Sequence, residues 1–170
     1  MKLSSHDEYG LRCLLQVARQ GVAGSATIPE ISRREGISPA YVGKLMRILR
    51  QGGFVVSARG KTGGYTLALP PERIRVGDAL TALGGRMYGD DFCSRHSGCA
   101  ATCPHSTDCS IRSLWRSLQD AIDGVLRTMT IRDLFLSESQ ALTNFQHIDN
   151  VAGKRQSRIR SNGPRAISRP

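Results

Sequence analysis

The order of the predicted elements in the middle of the chain constrains the fold more than any other feature. Residues 28–34 predict a short helix that Gly36 ends. After the turn at residues 36–39, Ser38 is a good N-cap and Pro39 a good first residue for a second helix that Gly52-Gly53 ends. Two helices joined in this way are typical of a helix-turn-helix. β-Branched and aromatic residues at 54–57 and 65–69 then predict two strands around a glycine-rich turn. We therefore predict a mainly α fold with a small β-hairpin wing, which is the order of a winged helix-turn-helix domain.

Positive charge is concentrated on the second helix and the hairpin. Between Arg33 and Lys61 the sequence has seven basic residues and one acidic residue, Glu35. The whole chain has 24 Lys and Arg against 14 Asp and Glu, and such an excess favours polyanionic partners through counterion release. We therefore predict that the second helix enters the major groove of DNA and that the wing tip reaches the minor groove or its flanking phosphates. The basic residues expected to contact base edges and phosphates are Lys44, Arg47, Arg50, Arg59 and Lys61.

Cysteines form the second conspicuous cluster. Four of the five lie within seventeen residues, at Cys93, Cys99, Cys103 and Cys109. The sequence has neither the roughly 18-residue apolar run of a membrane span nor a signal-peptide core, so we expect a cytoplasmic protein with no membrane partner. In a reducing cytoplasm, clustered cysteines indicate metal or redox chemistry before structural disulfides. The fifth, Cys13, lies among leucines of the first predicted helix, at residues 8–20, and is expected in the core.

The spacing of the four clustered cysteines favours an iron-sulfur cluster. Thiolates select zinc, copper(I) or iron-sulfur clusters. The gaps of five, three and five residues are wider than those of most zinc knuckles, although ferredoxin spacing is also absent. A zinc-stapled loop and a thiol-disulfide switch without metal are the alternatives. His96 and His105 lie in the same loop and are expected to face solvent rather than to act as ligands.

The segments after the wing predict a longer architecture. Residues 111–129 predict a long helix whose apolar stripe suggests a dimer contact. Residues 147–170 carry a net charge of +5 with almost no apolar periodicity, so we predict a disordered basic tail. No catalytic acid-base or nucleophile set is evident, so we predict a protein that is not an enzyme and has no small-molecule substrate. The predicted parts are a winged helix-turn-helix domain at 1–84, a cysteine-rich cluster-binding loop at 85–110, a dimerisation helix with a short C-terminal helix at 111–146, and the tail at 147–170.

Three segments together resemble a known family: MKLSSHDEYGLRCLL at the start, ISRREGISPAYVGKLMRILRQGGFVVSARGKTGGYTLA in the middle, and the cysteine loop leading into CSIRSLWRSL. Over about residues 1–136 the chain is similar to the Rrf-two family of IscR-, NsrR- and RirA-type regulators. The combination of GIS-x-x-Y, RG-x-x-GGY and a cysteine loop before LW is specific to that family. The resemblance implies a homodimer that binds an imperfect palindromic operator in double-stranded DNA, usually as a repressor. It also implies a cluster that reports iron supply, oxidants or nitric oxide.

The resemblance implies most of the ligand set. Cys93, Cys99 and Cys109 match the three family cysteines. Cys103 and Cys109 share the same five-residue gap, however, and this alternative match makes Cys99 the additional thiol. In the IscR branch a histidine three positions after the last cysteine completes the set, whereas this chain has Arg112 there. An arginine is no ligand, so the fourth ligand must differ.

Two candidates exist for the fourth ligand. The first is the surplus cysteine, and the second is Glu8, which matches a carboxylate used across the dimer in the NsrR branch. We favour four cysteines and a 2Fe-2S cluster, with 4Fe-4S as the alternative. Our hypothesis is that cluster binding orders residues 93–109 and biases the winged helix between DNA-competent and incompetent placements. A rival of another class is an iron-sulfur electron carrier, for which the basic helix and wing are incidental.

The DNA-contact positions of the family also have counterparts. Ser38, Tyr41 and Arg59 match them. Gly43, however, stands where the IscR branch has a glutamate on its recognition helix. The resemblance therefore implies an operator preference different from that of the IscR branch.

Overall fold

A computed structural model describes residues 4–21, 24–58 and 63–143 of the chain. The chain falls into two compact units, residues 1–135 and residues 136–170. In the second unit, the described part contains a helical stretch at 138–143, and the tail predicted at 147–170 lies outside the described residues. Among the described residues, no helix has the length and apolar character needed to cross a membrane. The four-part division drawn from the sequence stays a prediction.

Three helices build the helix-turn-helix domain: α1 (Ser5–Ala18), α2 (Ile28–Glu35) and α3 (Pro39–Gln51). Helix α1 begins three residues before its apolar pattern predicts, because Ser4 and Asp7 form a capping box that satisfies free backbone N-H groups. Helix α2 ends at Gly36, which has a φ of 67° and therefore adopts the left-handed conformation that glycine tolerates. Ser38 caps α3 by accepting a hydrogen bond from the backbone N-H of Tyr41.

The wing is an antiparallel hairpin of β1 (Val55–Ala58) and β2 (Gly64–Leu67). Its register places Val55 opposite Leu67. A third segment joins the hairpin, because Ala26 and Tyr65 exchange two backbone hydrogen bonds of 3.0 and 2.8 Å. The predicted mainly helical fold with a two-stranded wing is therefore confirmed, and the turn before α2 is paired to the wing.

The rest of the first unit consists of a 3-10 helix (Pro71–Arg73), α4 (Val76–Gly84), the short α5 (Phe92–Arg95), α6 (Ser110–Leu126) and a second 3-10 helix (Ile131–Phe135). Helix α6 ends three residues earlier than the apolar stripe predicts. The reason is that the following backbone pairs with the segment before α4: the N-H of Val76 donates to the carbonyl of Met129, and the N-H of Ile131 donates to that of Ile74. Helix α5 was not predicted, because it is one turn long and has no apolar periodicity.

The core lies where α1, α3 and α4 pack together, with α2 against α3. Side chains with no exposed surface come from α1, α2, α3, α4 and the second 3-10 helix. The larger ones include Leu14, Ile31, Leu45, Leu49 and Ile131. Burying each of these contributes about 1.5–3 kcal/mol to folding. Cys13 is also fully buried, as its leucine-rich surroundings predict.

Candidate functional site

Helix α3 has one buried face and one basic exposed face. Lys44, Arg47 and Arg50 are exposed, and α3 contains no acidic residue. None of the three makes an ion pair with another described residue. The opposite face packs into the core through Val42, Leu45, Met46 and Leu49. The structure therefore leaves three cations of the second helix available to an anionic partner.

The N-terminal end of α3 is held by α1. The ring of Tyr41 meets His6 edge-on at 5.6 Å and Tyr9 edge-on at 6.1 Å between centroids. The hydroxyl of Ser38 is engaged in capping α3, at 3.3 Å from the N-H of Tyr41. Ser38 and Tyr41 thus fix the start of α3 in the structure, and the placement of this end depends on α1.

Glu35, the acidic residue within the basic interval, is neutralised by α1. The Nε of Arg12 donates to the carboxylate of Glu35 at 2.6 Å, and the amide of Gln16 donates to the other oxygen. Only 8% of the Glu35 side chain is exposed. The hydrogen bond to Glu35 also raises the pKa of Arg12. The same guanidinium lies 3.9 Å from Glu8, one turn earlier on α1, so Arg12 stands between Glu8 and the end of α2.

The wing tip, including the predicted DNA contacts Arg59 and Lys61, lies outside the described residues. At the base of the wing, Gly64 is required for a reason other than the one the sequence suggests. The Gly63-Gly64 pair predicts positive φ angles, but Gly64 does not have one. Instead, a Cβ on Gly64 would lie 2.9 Å from the carbonyl oxygen of Ala26. Close approach of two backbones therefore explains this glycine.

The first half of the cysteine loop is attached to α6 through Tyr88. The N-H of Tyr88 donates to the side-chain oxygen of Gln119 at 2.9 Å, and Gln119 is only 5% exposed. The phenol of Tyr88 lies 3.6 Å from the sulfur of Cys93 on α5. The hydrogen bond with Cys93 raises the pKa of Tyr88. Cys93 is half-buried, and it is connected to α6 through Tyr88.

The second half of the loop is attached to the N-terminus of α6. Cys109 is the N-cap of α6, and its sulfur accepts from the backbone N-H of Arg112 at 3.4 Å. The guanidinium of Arg112 donates to the carbonyls of His105 and Ser106 at 2.6 and 2.7 Å. Its Nε is buried and has no hydrogen-bond partner among the described residues. Arg112, at the position of the IscR-branch histidine, thus anchors the loop backbone.

The four clustered cysteines are free thiols, with Cys99 exposed and Cys93, Cys103 and Cys109 half-buried. Among the described residues, no three His, Cys, Asp or Glu side chains lie together at a distance that could hold a metal ion. The fit of an iron-sulfur cluster to this loop therefore rests on the donor set. Four thiolates form the usual ligand set of 2Fe-2S and 4Fe-4S clusters, and thiolates are soft enough for zinc as well.

Helix α6 has a large apolar face toward solvent. Ile111, Leu114 and Leu118 are 60%, 54% and 41% exposed. Beside this face runs a groove of about 1230 Å³, lined by residues of α4 and α6 that include Leu80, Ile122 and Leu126. The α6 residues of this face and groove belong to the apolar stripe on which the dimer prediction rests.

Sequence reasoning missed two residues of this site. One sequence signal indicates an ion pair of Arg12, since Arg12 follows Glu8 by four positions on a helix. Gln119 also had one, because it is a polar residue four positions after Trp115 and three before Ile122, on the apolar stripe itself. A polar residue at such a position requires hydrogen-bond partners.

Comparisons with known proteins agree with this geometry. Residues 3–136 match the Rrf2 family, described as iron-dependent transcriptional regulators. The chain is 37% identical to the protein Rrf2 of Nitratidesulfovibrio vulgaris over 139 residues, which cover 82% of this chain and 90% of that protein. It is 34% identical to the HTH-type transcriptional regulator IscR of Aliivibrio salmonicida over 150 residues, or 88% of this chain and 86% of that regulator.

Solved structures give the same result. IscR of T. potens superposes with a TM-score of 0.63 at 29% identity, covering 79% of this chain and 86% of that one. CymR, the global cysteine regulator of B. subtilis, superposes with a TM-score of 0.60 at 28% identity, covering 79% and 95%. These likenesses and the matched family argue against the electron-carrier alternative. The chain belongs to the Rrf2 family of iron-dependent transcriptional regulators, and it is a DNA-binding regulator rather than an enzyme.

Proposed function

We propose that this chain is a homodimeric repressor whose binding to an imperfect palindromic operator is controlled by an iron-sulfur cluster. The observation that carries the proposal is that one compact unit contains both the exposed basic face of α3 and a loop with four free thiols. Iron supply, an oxidant or nitric oxide is the proposed signal. Some members of the family bind iron-sulfur clusters, which supports this choice.

On the DNA side, α3 is the recognition helix. Lys44, Arg47 and Arg50 project from it without partners among the described residues, so they can donate to phosphates and base edges. Ser38 and Tyr41 set the position of its N-terminal end, where a recognition helix contacts bases. Arg59 and Lys61, in the sequence between the two wing strands, are proposed as further contacts to DNA.

On the metal side, we propose Cys93, Cys99, Cys103 and Cys109 as the residues that hold a 2Fe-2S cluster. When bound, the cluster supplies a centre whose charge and integrity respond to redox conditions. Cys93 and Cys109 are already held by contacts to α6, through Tyr88 and through the helix cap. Cys99 is exposed, and Cys103 is half-buried. The positive N-terminus of α6 favours the negative charge that thiolates bring.

Arg12 offers a route from the metal site to the recognition helix if Glu8 is the fourth ligand. The Glu8 side chain is 58% exposed, so its carboxylate can reach a cluster in a partner subunit. Within its own chain, this carboxylate lies 3.9 Å from Arg12. Recruitment of Glu8 removes one of the two carboxylates that hold Arg12, which then keeps only Glu35 at the end of α2. Because α2 leads into the turn before α3, this change reaches the DNA-binding face.

The Arg12 route is tested by Arg12→Gln. If Glu8 is the fourth ligand, this substitution reduces the difference in operator affinity between the iron-loaded and the iron-free protein. With four cysteine ligands, the difference stays at its wild-type value. Arg19→Gln, which removes an exposed cation from the end of the same helix, is the matched control and should leave that difference unchanged. An undiminished difference in Arg12→Gln contradicts the route.

For the dimer, we propose that the exposed face of α6 packs against the same face of a second copy. An isolated chain rarely leaves side chains such as Ile111, Leu114 and Leu118 so exposed along one helix. A symmetric pair of subunits also matches a palindromic operator, because each recognition helix then reads one half-site. Sedimentation of wild type and of Leu114→Glu tests this: the wild type should be a dimer and the variant a monomer.

The first experiment is anaerobic purification of the wild type, Cys103→Ala and Glu8→Gln, with iron, sulfide and zinc analysis and a visible spectrum. We expect iron and sulfide in the wild type and their loss in Cys103→Ala, with Glu8→Gln unaffected. Loss in Glu8→Gln alone identifies the carboxylate as the fourth ligand. Zinc without visible absorption supports the zinc-stapled loop instead, and protein without metal supports the thiol-disulfide switch.

Control of operator binding by the cluster is tested in a second experiment, on DNA. Operator binding of the loaded and cluster-free forms is compared at several salt concentrations, since affinities to DNA depend steeply on salt. Equal affinity of the two forms contradicts control by a cluster.

A further inference from the structure

Tyr88 is held on both sides at the start of the cysteine loop. Its ring lies 5.0 Å from that of Phe92 between centroids, and Phe92 in turn stacks on His96 at 4.1 Å. Its phenol oxygen is 3.6 Å from the sulfur of Cys93, which follows Phe92 on α5. A hydroxyl at this distance can donate a hydrogen bond to a thiolate. The aromatic packing therefore keeps the phenol directed at this sulfur.

The backbone of Tyr88 is fixed by the buried amide of Gln119. The oxygen of that amide accepts from the N-H of Tyr88, and its nitrogen donates to Asp123 at 2.8 Å. Asp123 is itself paired with Arg86, two residues before Tyr88. A buried amide with both ends bonded resists displacement, because breaking either bond leaves an unsatisfied polar group. Hydrogen bonds therefore connect Gln119 on α6 to Tyr88, and Tyr88 to the sulfur of Cys93.

We propose that Tyr88 is a positioning residue of the thiolate metal site, anchored on α6 by Gln119 and donating a hydrogen bond to the sulfur of Cys93. This inference rests on the metal site described under the proposed function. The hydrogen bond orients the sulfur toward the metal, as outer-shell partners of ligands do. It also withdraws negative charge from the sulfur, which stabilises the reduced form of a cluster and raises its reduction potential.

The test is Tyr88→Phe, which removes the phenol oxygen and keeps the ring. The first measurement uses the cluster-free full chain and Co²⁺ alone, followed by the sulfur-to-cobalt charge-transfer absorption. We expect about tenfold weaker Co²⁺ binding than in the wild type. The second measurement is the reduction potential of the reconstituted protein. We expect it to become more negative by about 59 mV, which corresponds to a tenfold change in a one-electron equilibrium.

Tyr65→Phe is the matched control, since it deletes the same hydroxyl on β2 of the wing, and both quantities should stay at their wild-type values. Gln119→Met, which keeps the length of the side chain without its amide, should also weaken Co²⁺ binding. Thermal melting of each variant shows whether it is folded.

Each outcome bears on the inference. Tyr88→Phe that behaves like Tyr65→Phe in both measurements overturns it. Weaker Co²⁺ binding with an unchanged potential overturns the hydrogen bond to sulfur, and unchanged Co²⁺ binding in Gln119→Met overturns the anchor. A wild type that binds Co²⁺ through thiolates but never assembles an iron-sulfur cluster refutes the proposed function, while the Co²⁺ measurement still decides the role of Tyr88.

Discussion

Replacing Lys44, Arg47 and Arg50 by alanine, one at a time and all three together, should show which of them contact phosphates and which contact base edges of DNA. Each cation that neutralises a phosphate contributes about 0.9 to the slope of log affinity against log salt concentration. If all three contact phosphates, the triple variant flattens the slope by about 2.7 per protomer. A residue that reads a base edge instead leaves the slope on nonspecific DNA unchanged and lowers operator discrimination by about 1–3 kcal/mol.

The structure explains why these changes should not disturb folding. The three side chains are exposed and have no ion pair with a described residue, so each replacement should alter the free energy of unfolding by less than about 0.5 kcal/mol. Leu45→Ala is the opposite control, because Leu45 is fully buried on the other face of α3. It should lower the free energy of unfolding by about 2–5 kcal/mol and leave the salt slope of the folded protein unchanged.

The assay is fluorescence anisotropy of a labelled nonspecific duplex and of the operator, titrated at salt concentrations from about 50 to 200 mM. Urea unfolding of each variant supplies the stability. A triple variant that retains the wild-type slope and the wild-type operator affinity would show that α3 is not the recognition helix, whatever its exposure and charge.

Three further predictions concern the wing, the core and the tail. Gly64→Ala should destabilise the protein by about 1–3 kcal/mol, because its Cβ meets the carbonyl of Ala26. Its control, Gly43→Ala, has room for the Cβ on α3 and should stabilise the protein by about 0.5–1 kcal/mol. Urea unfolding measures both. Burial raises the pKa of the Cys13 thiol from 9.0 to about 12, so between these pH values the unfolded chain has lost a proton that the folded chain keeps. The Cys13 contribution to stability should therefore decrease as pH rises from 9 to 12 relative to Cys13→Ala, and parallel pH profiles of the two proteins would contradict it. Truncation after residue 146 should flatten the salt slope on nonspecific DNA, and an unchanged slope refutes a role for the basic tail.

Most of the helix-turn-helix could be predicted because its signals are local. The cap at Ser38, the end of α2 at Gly36 and the span of α3 each depend on signals within one or two turns, and the structure confirms all three. The exposed positions of Lys44 and Arg47 follow from the same periodicity. The predicted start of α1 was three residues too late, since its capping box lies outside the apolar pattern.

Prediction was weaker where a residue serves a distant segment. Gly64 was assigned to a turn, yet it allows the close approach of Ala26, far away along the chain. The end of α6 was placed too late, because the backbone at Met129 pairs with Val76. In both cases the controlling partner lies dozens of positions away, where neither periodicity nor turn chemistry indicates it.

The sequence by itself determined the class of the protein: the order of the elements, the basic interval and the four thiols in one loop all follow from composition and short-range spacing. Only the tertiary structure decided which of these residues act together. It pairs Arg12 with Glu35 across 23 positions and Tyr88 with Gln119 across 31. Such pairs depend on how helices pack against one another, and that packing is a property of the whole core rather than of any local pattern.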